Sequence, residues 1–444
     1  MGAAGGCYVF LNQGPGVLFQ EASQEVFGPD GMLARVIKVR DVNGDGHLDI
    51  LVGTTFQTQS QLYFGDGAGN FTNVTAASLP AIEASVGDLE FGDVDGDRDL
   101  DVVLADWGPG SPMANEGGRT MLWLNDGTGR LSDVSQTQMP DVLVKFSWEL
   151  EFVDVDNDYD LDVLVSCKRC EGGFLLENDG KGAFTNATSL RLPQFTNNYE
   201  FEAMDVNADD FLDLVTINDG PYFSEHIFIN NGRGGFEDGT SMLWPTAENR
   251  GFDDNMVVFL DFDSDGDADF LIGSLDGPDR LLINYGSGHL KVSYLVFKTP
   301  ITSGTLGIAV ADLNGDHKLD IVDAQGENSV EEKVLLGTKI EPDTAPPSIA
   351  LVEAVSTAEQ SQAIRIRARV HDLKSPTMPH DWKSVDLVWD TNGQTQVTPM
   401  QWYGEYLWNG AIDQPPAGVL GYQVCATDAA GNQACSEQLT VTVK

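Results

Sequence analysis

The sequence predicts an all-β chain: a radial array of four-stranded sheets, then a smaller β-sandwich. Three observations predict it. One acidic nine-residue loop occurs six times at a near-regular interval. Gly-rich hairpin turns recur between those loops. The composition changes at Pro346.

The first loop presents Asp41, Asn43, Asp45 and Asp49, with His47 at position seven. The second presents Asp93, Asp95, Asp97 and Asp101, with Asp99 at position seven. The third has Asp154, Asp156, Asp158 and Asp162, with Asp160; the fourth has Asp205, Asn207, Asp209 and Asp213, with Phe211. The fifth has Asp261, Asp263, Asp265 and Asp269, with Asp267; the sixth has Asp312, Asn314, Asp316 and Asp320, with Lys318. Alternate oxygen-bearing side chains on a tight loop converge on one hard cation, and calcium takes about 6–8 oxygens. Without a cation so many neighbouring carboxylates repel one another. About six Ca2+ sites are expected. Gly44 and Gly46 suit the bend of the first loop; Ala208 and Asp210 stand there in the fourth, which is expected to be the weakest.

Loop starts are separated by 52, 61, 51, 56 and 51 residues. A period near 50 marks a stacked or radial repeat. A short strand precedes each loop, as in Glu149–Val153, and a β-rich run follows it, as in Leu100–Leu104 and Leu161–Val165. Then come the hairpin signatures: Gly65-Asp-Gly, Asn125-Asp-Gly, Asn178-Asp-Gly, Asn230-Asn-Gly and Asn284-Tyr-Gly. Asn and Asp beside Gly tolerate φ > 0, which two-residue hairpins demand. Each unit is thus four antiparallel strands, and such units at a fixed period read as propeller blades. Five units, from Leu33 to about Tyr294, are complete. A sixth has strands around Ile308, Ile321 and Leu335, and Tyr8–Phe19 adds one hairpin. The count falls three strands short of seven blades. The expected fold is a seven-bladed β-propeller over residues 1–340 with an incomplete first blade; the alternative is a six-bladed ring with a spare strand. On the first account the natural chain extends upstream by about one ~50-residue repeat, carrying a seventh loop and any secretion signal.

Residues 341–347 form a Pro-containing linker. Beyond it, Ile364–Val370, Val385–Trp389, Leu420–Cys425 and Leu439–Val443 alternate like strands. About 100 residues of this kind fit an immunoglobulin-like sandwich over 348–444.

The charge is concentrated. Lys and Arg number 25 against 69 Asp and Glu, a net of −44. The last 100 residues hold six basic and ten acidic residues, so nearly all the surplus lies in the repeats. Such a field repels nucleic acid and anionic membranes. No apolar run reaches the ~18–20 residues of a membrane span, and Met1–Cys7 lacks a basic and apolar leader. Calcium sites of this kind favour a secreted or cell-surface location. Cys425 and Cys435 flank a hairpin and suit a cross-strand disulfide. Cys167 and Cys170 read as a local disulfide or two free thiols rather than a zinc site; Cys7 is left over.

The motif Asp-x-[Asp/Asn]-x-Asp-x-x-x-Asp with Asn-Asp-Gly-x-Gly hairpins resembles FG-GAP/VCBS-type repeats, which build the calcium-binding propeller of integrin α subunits and many bacterial surface proteins. The resemblance covers roughly residues 7–340. It implies calcium ligation by positions one, three, five and nine and by the carbonyl of position seven. The tail resembles bacterial Ig-like modules, through Tyr422–Asn432. The family implies a secreted or surface module for adhesion or glycan recognition. No integrin-type ligand motif is present.

Two further sets stand out. First strands carry carboxylates at alternate positions: Asp88 and Glu90, Glu149 and Glu151, Glu200 and Glu202. Period two puts each pair on one face, lining the channel as a cation, basic-ligand or acid–base site, or as a hydrated wall. Opposite the acidic loops, long connections carry Trp107, Phe146, Trp148, Phe195, Tyr199, Tyr222, Phe223, Trp244 and Phe252. Trp107 and Trp244 are expected to be exposed. Ligand contacts are assigned to Trp107, Trp148, Tyr199, Tyr222, Trp244, Glu90, Glu151 and Glu202. Nucleophile, zinc-protease and phosphate-loop motifs are absent. The reading is a calcium-stabilised module binding a glycan or surface protein. Its alternatives are a polysaccharide lyase or hydrolase using the channel acids, and a purely structural surface repeat.

Overall fold

A computed structural model of the chain describes residues 7–13, 19–27, 32–218, 220, 222–293, 304–326, 332–338, 340–375, 378–391 and 393–444. Tyr294 and the turn of the N-terminal hairpin lie outside them. Five antiparallel four-stranded sheets follow one another. The first comprises Ala34–Arg40, Asp49–Thr54, Gln61–Gly65 and Phe71–Asn73; the second Val86–Gly92, Asp101–Asp106, Thr120–Asn125 and Leu131–Asp133. The third comprises Leu150–Val153, Asp162–Val165, Phe174–Asn178 and Phe184–Asn186; the fourth Asn198–Met204, Asp213–Asn218, His226–Asn230 and Phe236–Asp238. The fifth comprises Asp254–Leu260, Asp269–Ser274, Arg280–Asn284 and Leu290–Ser293. A three-stranded sheet, Thr305–Ala311, Asp320–Gln325 and Lys333–Leu335, ends the series, and Phe10–Leu11 pairs with Gln20–Glu21 at the start. The first strand of each sheet packs on the first strand of the next. The result is a propeller-like repeat with the first strands innermost.

Two sequence devices hold the repeats, one in every sheet and one in the second to fifth. The ninth loop residue is buried in every copy; one oxygen accepts from the second residue of the loop and the other from the hairpin that follows. Asp101 Oδ2 accepts from Val94 N at 3.1 Å, and Oδ1 from Asn125 N at 2.8 Å. Asp213 does the same with Val206 N and Asn230 N. The hairpin Asn then joins neighbouring sheets: Asn125, Asn178, Asn230 and Asn284 Nδ2 donate to Val42, Val94, Val155 and Val206 O of the preceding sheet, at 2.8–2.9 Å. Substituting Asn230→Ala leaves the buried Val155 carbonyl without this donor. A loss of about 1–3 kcal/mol in unfolding free energy, read as a lower urea midpoint, is expected; an unchanged midpoint would show that the Asn is only a turn former.

First strands of five sheets are bulged near their starts, after Ala34, Val86, Asn198, Asp254 and Thr305. Each bulge re-aims one side chain, among them Arg35 and Tyr199. One-turn helices Thr75–Ser78, Ser135–Gln138, Thr188–Arg191 and Thr240–Leu243 follow the fourth strands. Their leading hydroxyl accepts a third-strand N–H, as Thr75 Oγ1 does from Leu62 N at 2.9 Å.

The C-terminal part is a two-sheet sandwich. One sheet is ordered Ser348–Val352, Ile364–His371, Leu407–Ile412, Gln401–Gly404. The other centres on Gly418–Asp428 between Leu439–Val443 and Trp382–Thr391. Its core is Ile366, Val370, Leu387, Trp408, Tyr422 and Val424 with their neighbours. Disulfides join Cys167 to Cys170 and Cys425 to Cys435, and Cys7 is a buried free thiol.

The linker is not a free spacer. Asp343 N donates to His317 O at 2.8 Å, and Asn432 Nδ2 to Asp343 O at 3.4 Å. The sandwich sits on the acidic-loop face of the sheets. Alternate residues of one strand, Arg365, Arg367 and Arg369, reach Gly96 O, Asp160 Oδ1 and Asp154 Oδ2 at 3.0, 2.9 and 3.1 Å. Tyr403 and Tyr406 hydroxyls donate to Tyr159 O and Ala203 O, both at 2.8 Å.

Candidate metal centres and binding face

Each acidic loop is wound by its own side chains. Asp41 Oδ1 accepts from Gly44 N at 2.9 Å and Oδ2 from Gly46 N at 2.8 Å. Asn43 Oδ1 accepts from Asp45 N, and Asp45 Oδ1 from His47 N. Winding of this kind needs left-handed residues at position four, six or both. Gly44, Gly46, Gly96, Gly266 and Gly315 supply some of these; Asn157, Tyr159, Ala208, Asp210, Ser264, His317 and Arg98 adopt positive φ without that freedom. Non-Gly residues pay for it sterically. Position seven packs on the hairpin of the same sheet. A Cβ on Gly127, φ 77°, would come 2.5 Å from Asp99 Oδ2.

The winding brings acids together. Carboxylate oxygens lie within 4.8 Å of one another in Asp93/Asp95/Asp101, Asp154/Asp156/Asp158 and Asp261/Asp263/Asp265. In the other three loops Asn43, Asn207 and Asn314 stand at position three. Asn207 Oδ1 is buried with no hydrogen-bond partner, which suits a cation ligand. All-oxygen donors on a short loop suit calcium-class cations. Burial, more than loop hydrogen bonds offset, pushes Asp93, Asp158 and Asp261 up to about 6, and Asp101, Asp213 and Asp269 up to about 8. Asp265→Ala is expected to cost more calcium affinity than Asp209→Ala, because Asp265 completes an acidic triad beside Gly266 while the fourth loop bends through Ala208 and Asp210. Equal losses by calorimetry would refute that ranking.

Two further clefts adjoin these loops. One, of about 580 Å³, lies between the first loop and the sandwich, against Asp41, Arg98, Met400 and Trp402. The other, of about 410 Å³, lies between the second and third loops and Arg365, Arg367 and Tyr403.

The central carboxylates have partners the sequence did not reveal. Asp88 Oδ2 accepts from Leu150 N at 3.1 Å, Glu151 Oε1 from Ala203 N at 3.0 Å, and Glu200 Oε2 from Val257 N at 2.9 Å. Each therefore staples its sheet to the next. Glu90 pairs with Lys38. Burial, then the charge of Glu405, pushes Glu202 up to about 8.

On the opposite face the expected exposure of two tryptophans is overturned. Trp107 is 2% exposed and Trp244 is fully buried. Trp107 is enclosed edge-on by Phe56, Phe146 and Trp148, and Trp244 packs on Phe270 beneath Arg280. Tyr199 is also buried, against Trp148. Arg35 covers the Trp148 ring at 3.8 Å. The exposed aromatics there are Tyr222, at 92%, with Phe56 and Phe223. Missed entirely were Arg367, Arg369, Glu405 and Tyr406, which belong to the sandwich and act on the sheets.

These features define an all-β repeat protein built on clustered acidic loops. Residues 41–104, 205–272 and 261–322 match the FG-GAP-like repeat. No curated protein matches the sequence. Among solved structures, the Vibrio cholerae biofilm matrix protein Bap1 is 11% identical over 92% of this chain and 73% of that one, with a TM-score of 0.29. A fructofuranosidase variant from Schwanniomyces occidentalis is 10% identical over 93% and 91%, with a TM-score of 0.31. An engineered protein is 19% identical over 24% of this chain, which spans 22% of that protein, with a TM-score of 0.17. At such scores nothing is carried over from any of them.

Proposed function

We propose that the chain is a calcium-stabilised extracellular binding or adhesion module. In this reading residues 1–340 form a seven-bladed propeller and 348–444 an Ig-like domain. Calcium is held by positions one, three, five and nine of each loop, with the position-seven carbonyl. The ligand is a glycan or a surface protein, met by the face opposite the loops; the acidic charge disfavours nucleic acid and anionic membrane surfaces as partners. FG-GAP-like repeats fit an extracellular binding or structural role. Among the described residues no helix is long and apolar enough to cross a membrane.

One observation carries the choice of face. The sandwich occupies the loop face through Arg365, Arg367, Arg369, Tyr403 and Tyr406, while Tyr222, Phe56 and Phe223 remain exposed on the other. Variable connections on a rigid scaffold commonly carry recognition. The enzymatic reading is less favoured, since Asp88, Glu151 and Glu200 already accept backbone N–H groups. The test is retention on a panel of polysaccharides, with calcium and with chelator. Retention on one glycan, lost in chelator and reduced about tenfold by Tyr222→Ala, supports the reading. Retention unaffected by Tyr222→Ala moves the site elsewhere, and product formation would establish catalysis.

A further inference from the structure

The larger of the two clefts described above, the space of about 580 Å³ between the first loop and the sandwich, holds a buried cation with no counterion. Its size suits a small ligand. Arg40 ends the first strand of the first sheet and lines this cleft. It is 6% exposed. Its Nη1 donates at 2.9 Å to Val39 O, the carbonyl of the residue before it, and its Nε has no acceptor. Among the described residues Arg40 forms no ion pair. The other buried arginines do: Arg280 holds Asp254, and Arg369 holds Asp154. Burial pulls Arg40 down to about 10, and Glu405 and Asp381, both beyond ion-pair reach, offset that only in part. An arginine stays charged at pH 7, and a buried charge without a close partner is costly. Guanidinium groups take carboxylates in two parallel bonds, and the unmatched Nε is one end of such an edge.

The walls of the cleft narrow the kind of carboxylate. Arg40 lies over the Trp402 ring, 5.1 Å from its centroid, and Met400 and Trp382 add apolar surface. Gln401 and Asp386 line the same space, with exposed Arg98 beside them. Apolar patches interleaved with hydroxyl-pairing groups suit a pyranose ring. An acyl chain would leave Gln401 and Asp386 without partners. The loop acids of the cleft are occupied elsewhere: Asp41 accepts from Gly44 N and Gly46 N, and Asp99 lies against Gly127. A polyanion would also meet the six acidic loops and be repelled; a single acidic sugar avoids that.

We propose that this cleft binds one carboxylate-bearing sugar, free or at the end of a neutral glycan, with its carboxylate on Arg40 and its ring beside Trp402 and Met400. The site stands apart from the aromatic face opposite the loops, so either can fail alone.

The experiment titrates the full chain at pH 7 with glucuronate and with glucose, which differ at C6 alone, and reads binding by ligand-detected NMR. Glucuronate is expected to bind at least about tenfold more tightly, as a charge-assisted pair requires. Arg40→Gln is expected to erase that preference, and Arg40→Lys to keep part of it. Lys291→Gln, which removes an exposed charge on the fifth sheet, is expected to keep all of it. A neutral disaccharide ending in glucuronate separates the two sources: tighter binding than the free acid assigns the site to glycan ends, weaker binding to the free sugar. Equal binding of glucuronate and glucose, or binding of neither by the folded parent, overturns the proposal. A full preference retained in Arg40→Gln does the same. Should that variant fold poorly, parent crystals soaked in glucuronate decide: carboxylate density at Arg40 Nε sustains the site, and a map without it overturns the site.

Discussion

Calcium-free protein is expected to lose stability as pH rises from about 5 to about 8, and calcium to remove that loss. The sign follows from the loop acids. Burial raises Asp93, Asp158 and Asp261 to about 6 and Asp101, Asp213 and Asp269 to about 8, whereas an unfolded carboxyl titrates near 4. Between those values the metal-free folded state holds protons that the unfolded chain has released. Stability falls with pH wherever the folded state binds more protons, so the fall is complete only above about 8. Bound cation replaces those protons and makes the ionised acids an asset. A ligand at about 1,000 Kd adds about 4 kcal/mol per site, and each kcal/mol is about 2–4 °C in a domain of this size class. Calcium is therefore expected to raise Tm by on the order of 10 °C or more at pH 8, and by much less at pH 5. Melting curves of desalted protein at both pH values, with and without calcium, decide it. A calcium-free Tm that stays level or climbs between pH 5 and 8 would refute this account of the loops.

The repeat was legible because its signals are local. Six loops with fixed acids, each followed by an Asn- or Asp-Gly turn, specify strand, loop, strand and hairpin within about 50 residues. The series of five four-stranded sheets and one three-stranded sheet matches that pattern. What depends on distant partners was not legible. Trp107 sits beside Gly108 and Pro109, which read as an exposed turn, yet three aromatics from two other connections enclose it. Asp88, Glu151 and Glu200 looked like channel chemistry, because the backbone N–H groups they accept lie in the neighbouring sheet, 52 to 62 residues away. The sandwich hairpin that reaches Ala203 was not among the expected strands. Its neighbour is legible, since Ile364-Arg-Ile-Arg-Ala-Arg-Val370 alternates like a strand. Three arginines at period two on one strand also form a basic stripe, and nearly all the surplus acid of the chain lies in the repeats they face.

That stripe yields the second large effect. Exposure falls along it, from exposed Arg365 through half-buried Arg367 to buried Arg369. Arg369 Nη2 bonds both Asp154 O and Asp154 Oδ2 at 3.1 Å, and side-chain exposure is 1% on each side. Burial raises the Asp154 carboxyl and Arg369 opposes the rise. Removing one partner of a buried pair leaves the other charge stranded and costs about 3–5 kcal/mol. Arg369→Ala is expected to lose that much in denaturant unfolding and to open residues 341–347 to protease. Arg369→Lys should recover only part, since a single ammonium cannot span Asp154 O, Asp154 Oδ2 and Asp210 O as the guanidinium does. Arg365→Ala, which gives up one exposed bond to Gly96 O, should cost no more than about 0.5 kcal/mol. The ordering matters more than the values. If Arg365→Ala and Arg369→Ala behave alike, the sandwich is held by its tyrosines and apolar contacts, and the stripe is a solvated edge. If Arg369 dominates, docking and the third acidic loop share one residue, Asp154, so that calcium at that loop and the seating of the sandwich must respond to each other.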